Sequence, residues 1–69
     1  MIRLRYELDA AGMTHEQLGE LIGCHRVVIG RYVRGLEKPR HERAEAIAKA
    51  LDWPTDRAAE LFDEITEVR

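Results

Sequence analysis

Residues 12–35 read GMTHEQLGELIGCHRVVIGRYVRG and carry the strongest structural signal in the chain. Thr14-His15-Glu16-Gln17 matches a capping box, in which the Thr hydroxyl and the Gln amide satisfy exposed amides at a helix start. The spacing predicts a helix over 14–22, with Leu18, Leu21 and Ile22 on its apolar face. It predicts another over 25–33, with Ile29, Tyr32 and Val33 inward. Only Gly23-Cys24 joins the two, too short a link for helices lying side by side. They must cross steeply, which needs a small residue at the crossing and a backbone able to turn. Gly19 supplies the first and Gly23 the second. The expected packing between them is Leu18, Gly19, Ile22, Gly23, Cys24, Ile29 and Tyr32.

Working outward, a first helix is predicted over 2–11, with Leu4, Leu8 and Ala11 on one face and Gly12 as its stop. A fourth spans about 41–51, with Ala44, Ile47, Ala48 and Leu51 inward and Trp53 following as an apolar plug. A fifth starts near Thr55, an expected N-cap, with Asp56 in its first turn. Ala58, Leu61, Phe62, Ile65 and Val68 form its stripe. No strand alternation, repeat or low-complexity tract appears. The reading is all-α: a compact bundle of five short helices in one domain over 1–69, with low contact order.

Composition narrows the function. The chain has 69 residues, 35% of them charged, and a single cysteine. That excludes an internal disulfide framework, and no Cys/His spacing suggests zinc. The longest strictly aliphatic run is Val27-Val28-Ile29, so no membrane span is predicted. No apolar segment follows Arg3 and Arg5, which argues against a secretory leader. Net charge is −2, but it is unevenly spread. Residues 24–43 carry six basic against two acidic residues, net +4, while residues 44–69 carry three against seven, net −4. Such a dipolar domain can still present one face to phosphate.

Beyond these local rules, the stretch Leu8 to Pro39 resembles the lambda-repressor-like (Cro/repressor, xenobiotic-response-element type) helix-turn-helix family. The resemblance rests on the lead-in Gly12-Met13-Thr14 and on Leu18 with small Gly19. It continues through Leu21-Ile22-Gly23, Ile29, Arg34-Gly35 and Lys38-Pro39. The segment AIAKALDW at 46–53 extends it over nearly the whole chain. It implies binding to double-stranded DNA with the third helix in the major groove.

Carried over position by position, the base readers are Arg26, Val27 and Arg31. An arginine can bond guanine O6 and N7 together and Val can touch a thymine methyl, so guanines are expected in each half-site. The alternative is that these arginines contact only phosphate. Phosphate contacts are expected from Thr14, His15, His25, Arg34 and Lys38. Gly30 is expected on the groove face, where its lack of a side chain either allows close approach or is merely tolerated. His25 and Arg40 stand where the family often has hydroxyl caps, so the third and fourth helices are expected to lose ordinary caps. Many family members pair a buried Arg in the first helix with a Glu at the end of the third. Here Leu8 and Val33 stand at those positions, and an apolar pair in place of an ion pair is often neutral or stabilising.

No nucleophile–base constellation is present and no catalytic residue is expected, so an enzyme is the least favoured class. No cofactor, metal or small-molecule ligand is expected either. Cys24 reads as buried filler. The competing reading is a protein-interaction module or antitoxin-type adaptor on the same fold, since fold does not fix function. With no sensing or catalytic module, the simplest output is repression in a bacterial or phage-infected cytoplasm, by occupying a pseudo-palindromic operator. A homodimer is expected at least on DNA, with the candidate interface formed by whichever of Leu61, Ile65 and Val68 the core does not bury; the alternative is that all three are core and DNA alone aligns two copies.

Overall fold

A computed structural model of the protein describes residues 1–65. Four α-helices, α1 (Arg3–Ala11), α2 (His15–Ile22), α3 (Arg26–Val33) and α4 (His41–Ala50), precede a fifth, 3-10 helix (Thr55–Phe62). The described residues hold no strand, and none of their helices is long and apolar enough to cross a membrane. The fifth helix packs on α4 and α1, while α2 packs on α3 and α4. Leu4, Leu8, Leu18, Ile29, Ile47 and Leu61 are fully buried, so all five helices contribute to one core. Burying each such side chain stabilises the fold by about 1.5–3 kcal/mol, a large share for so small a domain.

The turns follow from local chemistry. Gly12 ends α1 in the left-handed region (φ 67°), with the Met13 amide donating to the Leu8 carbonyl at 3.0 Å. Both capping-box bonds of α2 form: the Gln17 amide donates to Thr14 Oγ1 at 3.0 Å, and the Thr14 amide donates to Gln17 Oε1 at 2.9 Å. At the crossing, the Cys24 amide donates to the Gly19 carbonyl at 2.8 Å. A Cβ on Gly19 would overlap the Cys24 carbonyl oxygen. Gly23 is exposed rather than core, and its φ of 73° is what requires glycine there.

Several side chains depart from expectation. Leu21 is 63% exposed, because α2 turns Leu18 and Ile22 toward the core instead. Ala11 is also exposed, and Ile22, Cys24 and Leu51 pack only at the core's edge. Trp53 is half-buried, with two guanidinium groups near its ring centroid, Arg3 at 5.8 Å and Arg57 at 5.7 Å. Its indole N–H donates to the Arg57 carbonyl at 3.0 Å. Arg57 also pairs through two nitrogens with Glu60, which holds the Glu60 carboxyl below its ordinary range.

The fifth helix differs most. Thr55 is its first residue, not its cap, and Pro54 precedes it with no side-chain cap bond. The helix stops at Phe62, and Asp63 is extended (φ −88°, ψ 151°). The chain then pairs with its own beginning. The Arg3 amide donates to the Asp63 carbonyl at 3.0 Å and the Ile65 amide to the Met1 carbonyl at 2.8 Å. An isolated antiparallel bridge joins Ile2 to Glu64, and the amino terminus meets the Glu64 carboxylate at 3.1 Å. This clasp satisfies a first-turn amide of α1, whose N-cap Ile2 has no capping side chain. Of the expected dimer contacts, Leu61 is fully buried and unavailable, and Ile65 is half-buried in the clasp. Val68 lies outside the described residues.

The Gly19 contact yields a test. Gly19→Ala presses a methyl into main chain that cannot rotate away, so it should destabilise by about 3 kcal/mol or more. Urea unfolding measures this; a change under about 0.5 kcal/mol would show that the crossing can open at little cost.

Candidate nucleic-acid interface

The interface is built outward from α3. Its inner face buries Ile29, Tyr32 and Val33. The Tyr32 ring meets Phe62 edge-on at 6.2 Å, and its hydroxyl accepts a hydrogen bond from Arg43 at 3.1 Å. This bond raises the Arg43 pKa above its ordinary value. The buried hydroxyl is thus satisfied and the face is fixed against the core. At the far end, left-handed Gly35 (φ 75°) lets the Leu36 amide donate to the Arg31 carbonyl at 3.0 Å and closes the helix.

The start of α3 corrects an expectation. His25 does cap the helix: its Nδ1 accepts the Val27 amide at 3.1 Å. The accepting nitrogen carries no proton, so in the neutral ring Nε2–H is left as a donor. Arg40, in contrast, makes no side-chain cap bond to α4, as expected.

The outer side of α3 opens onto a shallow recess. Arg26, Val27, Gly30 and Arg34 line it from α3, His15 from the start of α2, and Arg5 from α1. Leu8 and Val33 lie at its floor, both buried, so neither position leaves a charge inside. Gly30 is buried rather than open on the helix surface. A Cβ there would meet the Arg34 guanidinium at 3.3 Å and His15 Nδ1 at 3.8 Å. The bare backbone therefore lets two potential phosphate donors converge over α3.

Not every expected contact joins this recess. Arg31 stands one step round the helix, exposed, with a loose 3.8 Å approach to Glu37. Such an exposed pair contributes little and leaves the guanidinium available. Lys38 is exposed and lines a separate hollow with Arg40 and Arg43. Thr14 is exposed, but its hydroxyl is engaged in the capping box. Sequence reasoning missed Arg5 altogether. The signal was its place one turn before Leu8, on the helix face that the recess exposes. Among the described residues, no cluster of three or more His, Cys, Asp or Glu could hold a metal ion.

This geometry places two packed helices joined by a tight turn, a glycine where the first meets that turn, and an exposed arginine-bearing helix with its N-terminus at the surface. A family model described as Helix-turn-helix matches residues 4–57. The protein belongs to the lambda-repressor-like helix-turn-helix family. Neither the curated proteins nor the solved structures give a match. As a helix-turn-helix protein it is a DNA-binding transcription regulator, and α2, Gly23 and α3 form the motif itself.

His25 tests how the motif is held. His25→Ala removes the cap and should cost about 0.5–2 kcal/mol of stability, whereas His25→Asn should restore most of it. Equal melting of both variants and the wild type would show that the ring nitrogen adds nothing to the helix.

Proposed function

We propose that this regulator is a sequence-specific repressor of bacterial or phage type that acts by occupying its operator, with α3 in the major groove. The observation that carries this reading is the division of α3 into two faces. One is packed against the core, and the other presents Arg26, Val27 and Arg31 in the open. A rigid helix with arginines near its start is what direct reading of guanine edges requires. The other polar groups suit the backbone. His15 and Arg34 converge beside α3, His25 has a ring N–H to offer, and the start of α2 has first-turn amides that helix geometry leaves unpaired. Thr14 contributes through that start rather than through its engaged hydroxyl. Lys38, on the exit from α3, would hold a neighbouring phosphate.

One such module makes few contacts, so two copies on a pseudo-palindrome are expected, with half-sites about 34 Å apart. With Leu61 in the core, the DNA itself is the element that aligns the two copies in this reading.

Selection of bound duplexes from a randomised pool at physiological salt tests the proposal. A two-fold motif containing guanines supports it; weak, salt-labile binding without enrichment sinks it. On the selected site, Arg31→Ala should cost about 1–3 kcal/mol and relax preference at one base pair. Equal loss on all duplexes would reduce Arg31 to a phosphate clamp. Lys38→Ala should weaken binding uniformly and lower the salt slope by about 1, and an unchanged slope would remove it from the phosphate contacts.

A further inference from the structure

We infer that Arg5, on the first helix and outside the helix-turn-helix, is a phosphate-contacting residue that carries the DNA footprint from α3 across the recess to α1. The inference rests on the DNA-binding reading above and extends its surface. Arg5 is exposed and lines the same recess as Arg26, Arg34 and His15. The recess floor is apolar at Leu8, Val33 and Met13, so nothing there competes for a guanidinium.

The arginines outside this recess are mostly engaged. Arg3 pairs with Glu7 at 3.4 Å and lies over Trp53, Arg57 pairs with Glu60 at 2.8 Å, and Arg43 bonds the Tyr32 hydroxyl at 3.1 Å. Among the described residues Arg5, Arg26 and Arg34 form no ion pair within 4 Å. Two carboxylates stand at the rim, Asp9 and Glu64. Glu64 is already matched by the amino terminus at 3.1 Å, and Asp9, one turn after Arg5 on α1, forms no ion pair within 4 Å among the described residues, so one unmatched carboxylate faces an excess of three guanidinium groups. An open concave surface with an excess of unpaired guanidinium groups, beside a helix that enters a groove, suits a flanking phosphodiester strand.

The test compares wild type, Arg5→Ala, Arg5→Lys and Lys38→Ala on the selected duplex and on an unrelated duplex, across a salt series. Arg5→Ala should weaken both complexes about three- to tenfold and lower the salt slope by about 1, and Arg5→Lys should keep the slope. Phosphate-ethylation interference should lose a contact in Arg5→Ala that Lys38→Ala retains. The side chain is exposed, so melting should not change; if Arg5→Ala does not fold, Arg5→Gln keeps the aliphatic stem and removes the charge. Unchanged slope and interference in a folded variant overturn the inference while the DNA reading stands. A wild-type chain that binds no duplex overturns both.

Discussion

The contact between Gly19 and the Cys24 carbonyl is the constraint on which the remaining geometry depends. It brings the backbone of α2 against the link to α3, and no side chain fits between them. The Gly19 carbonyl accepts the amides of both Gly23 and Cys24, so the turn is bonded as well as crowded. With the crossing fixed, the first residue of α2 comes to lie over the middle of α3. There Gly30 has no side chain to keep His15 and Arg34 apart. Two glycines thus do different work: one sets the angle between the helices, and the other shapes the surface that angle creates.

The core and the surface divide the labour cleanly. Stability comes from aliphatic side chains drawn from every helix, and no buried side-chain polar atom among the described residues lacks a partner. The ion pairs are at the surface, where screening and side-chain entropy leave little net gain. Arginines that brace the fold do so through aromatic groups: Arg43 on the Tyr32 hydroxyl, and Arg3 and Arg57 on the Trp53 ring. Those around α3 brace nothing of the kind. Their cost in self-repulsion is a reason to expect an anionic partner rather than a structural role.

What could be read from the sequence was whatever local rules control. The capping box at Thr14, the stop at Gly12 and the turn at Gly23 are each decided by a few neighbouring residues, and α1 to α4 fall within about one residue of their predicted ends. The last segment failed because its fate is set from afar. Apolar spacing over 58–68 suits a helix, but the chain leaves helical geometry after Phe62 to bond residues 1–3. Periodicity carries no information about a partner more than 60 positions away. The burial of Leu61 could not be read for a related reason, since a stripe shows which residues face one way and not which of them the core covers. His25 was misjudged because cap preference counts hydroxyls and carboxamides, while a ring nitrogen in the right place accepts the same amide.

A net charge of −2 does not oppose DNA binding here. The molecule measures about 33 × 23 × 22 Å, and charges separated by more than about 10 Å are largely screened at 0.1 M salt. A phosphate at the recess therefore responds to Arg5, Arg26, Arg34 and His15 before it responds to the chain as a whole. The acidic residues of the fifth helix lie on an element packed against α4 and α1. Asp56 and Glu60 are not among the residues that line the recess, where Asp9 and Glu64 are the acidic groups. With so small a basic surface, the domain is expected to gain less from nonspecific DNA at physiological salt than a uniformly basic one. In the proposed reading, discrimination then rests on the few side chains that α3 presents in the open, and the close approach at Gly19 is what holds α3 in place to present them.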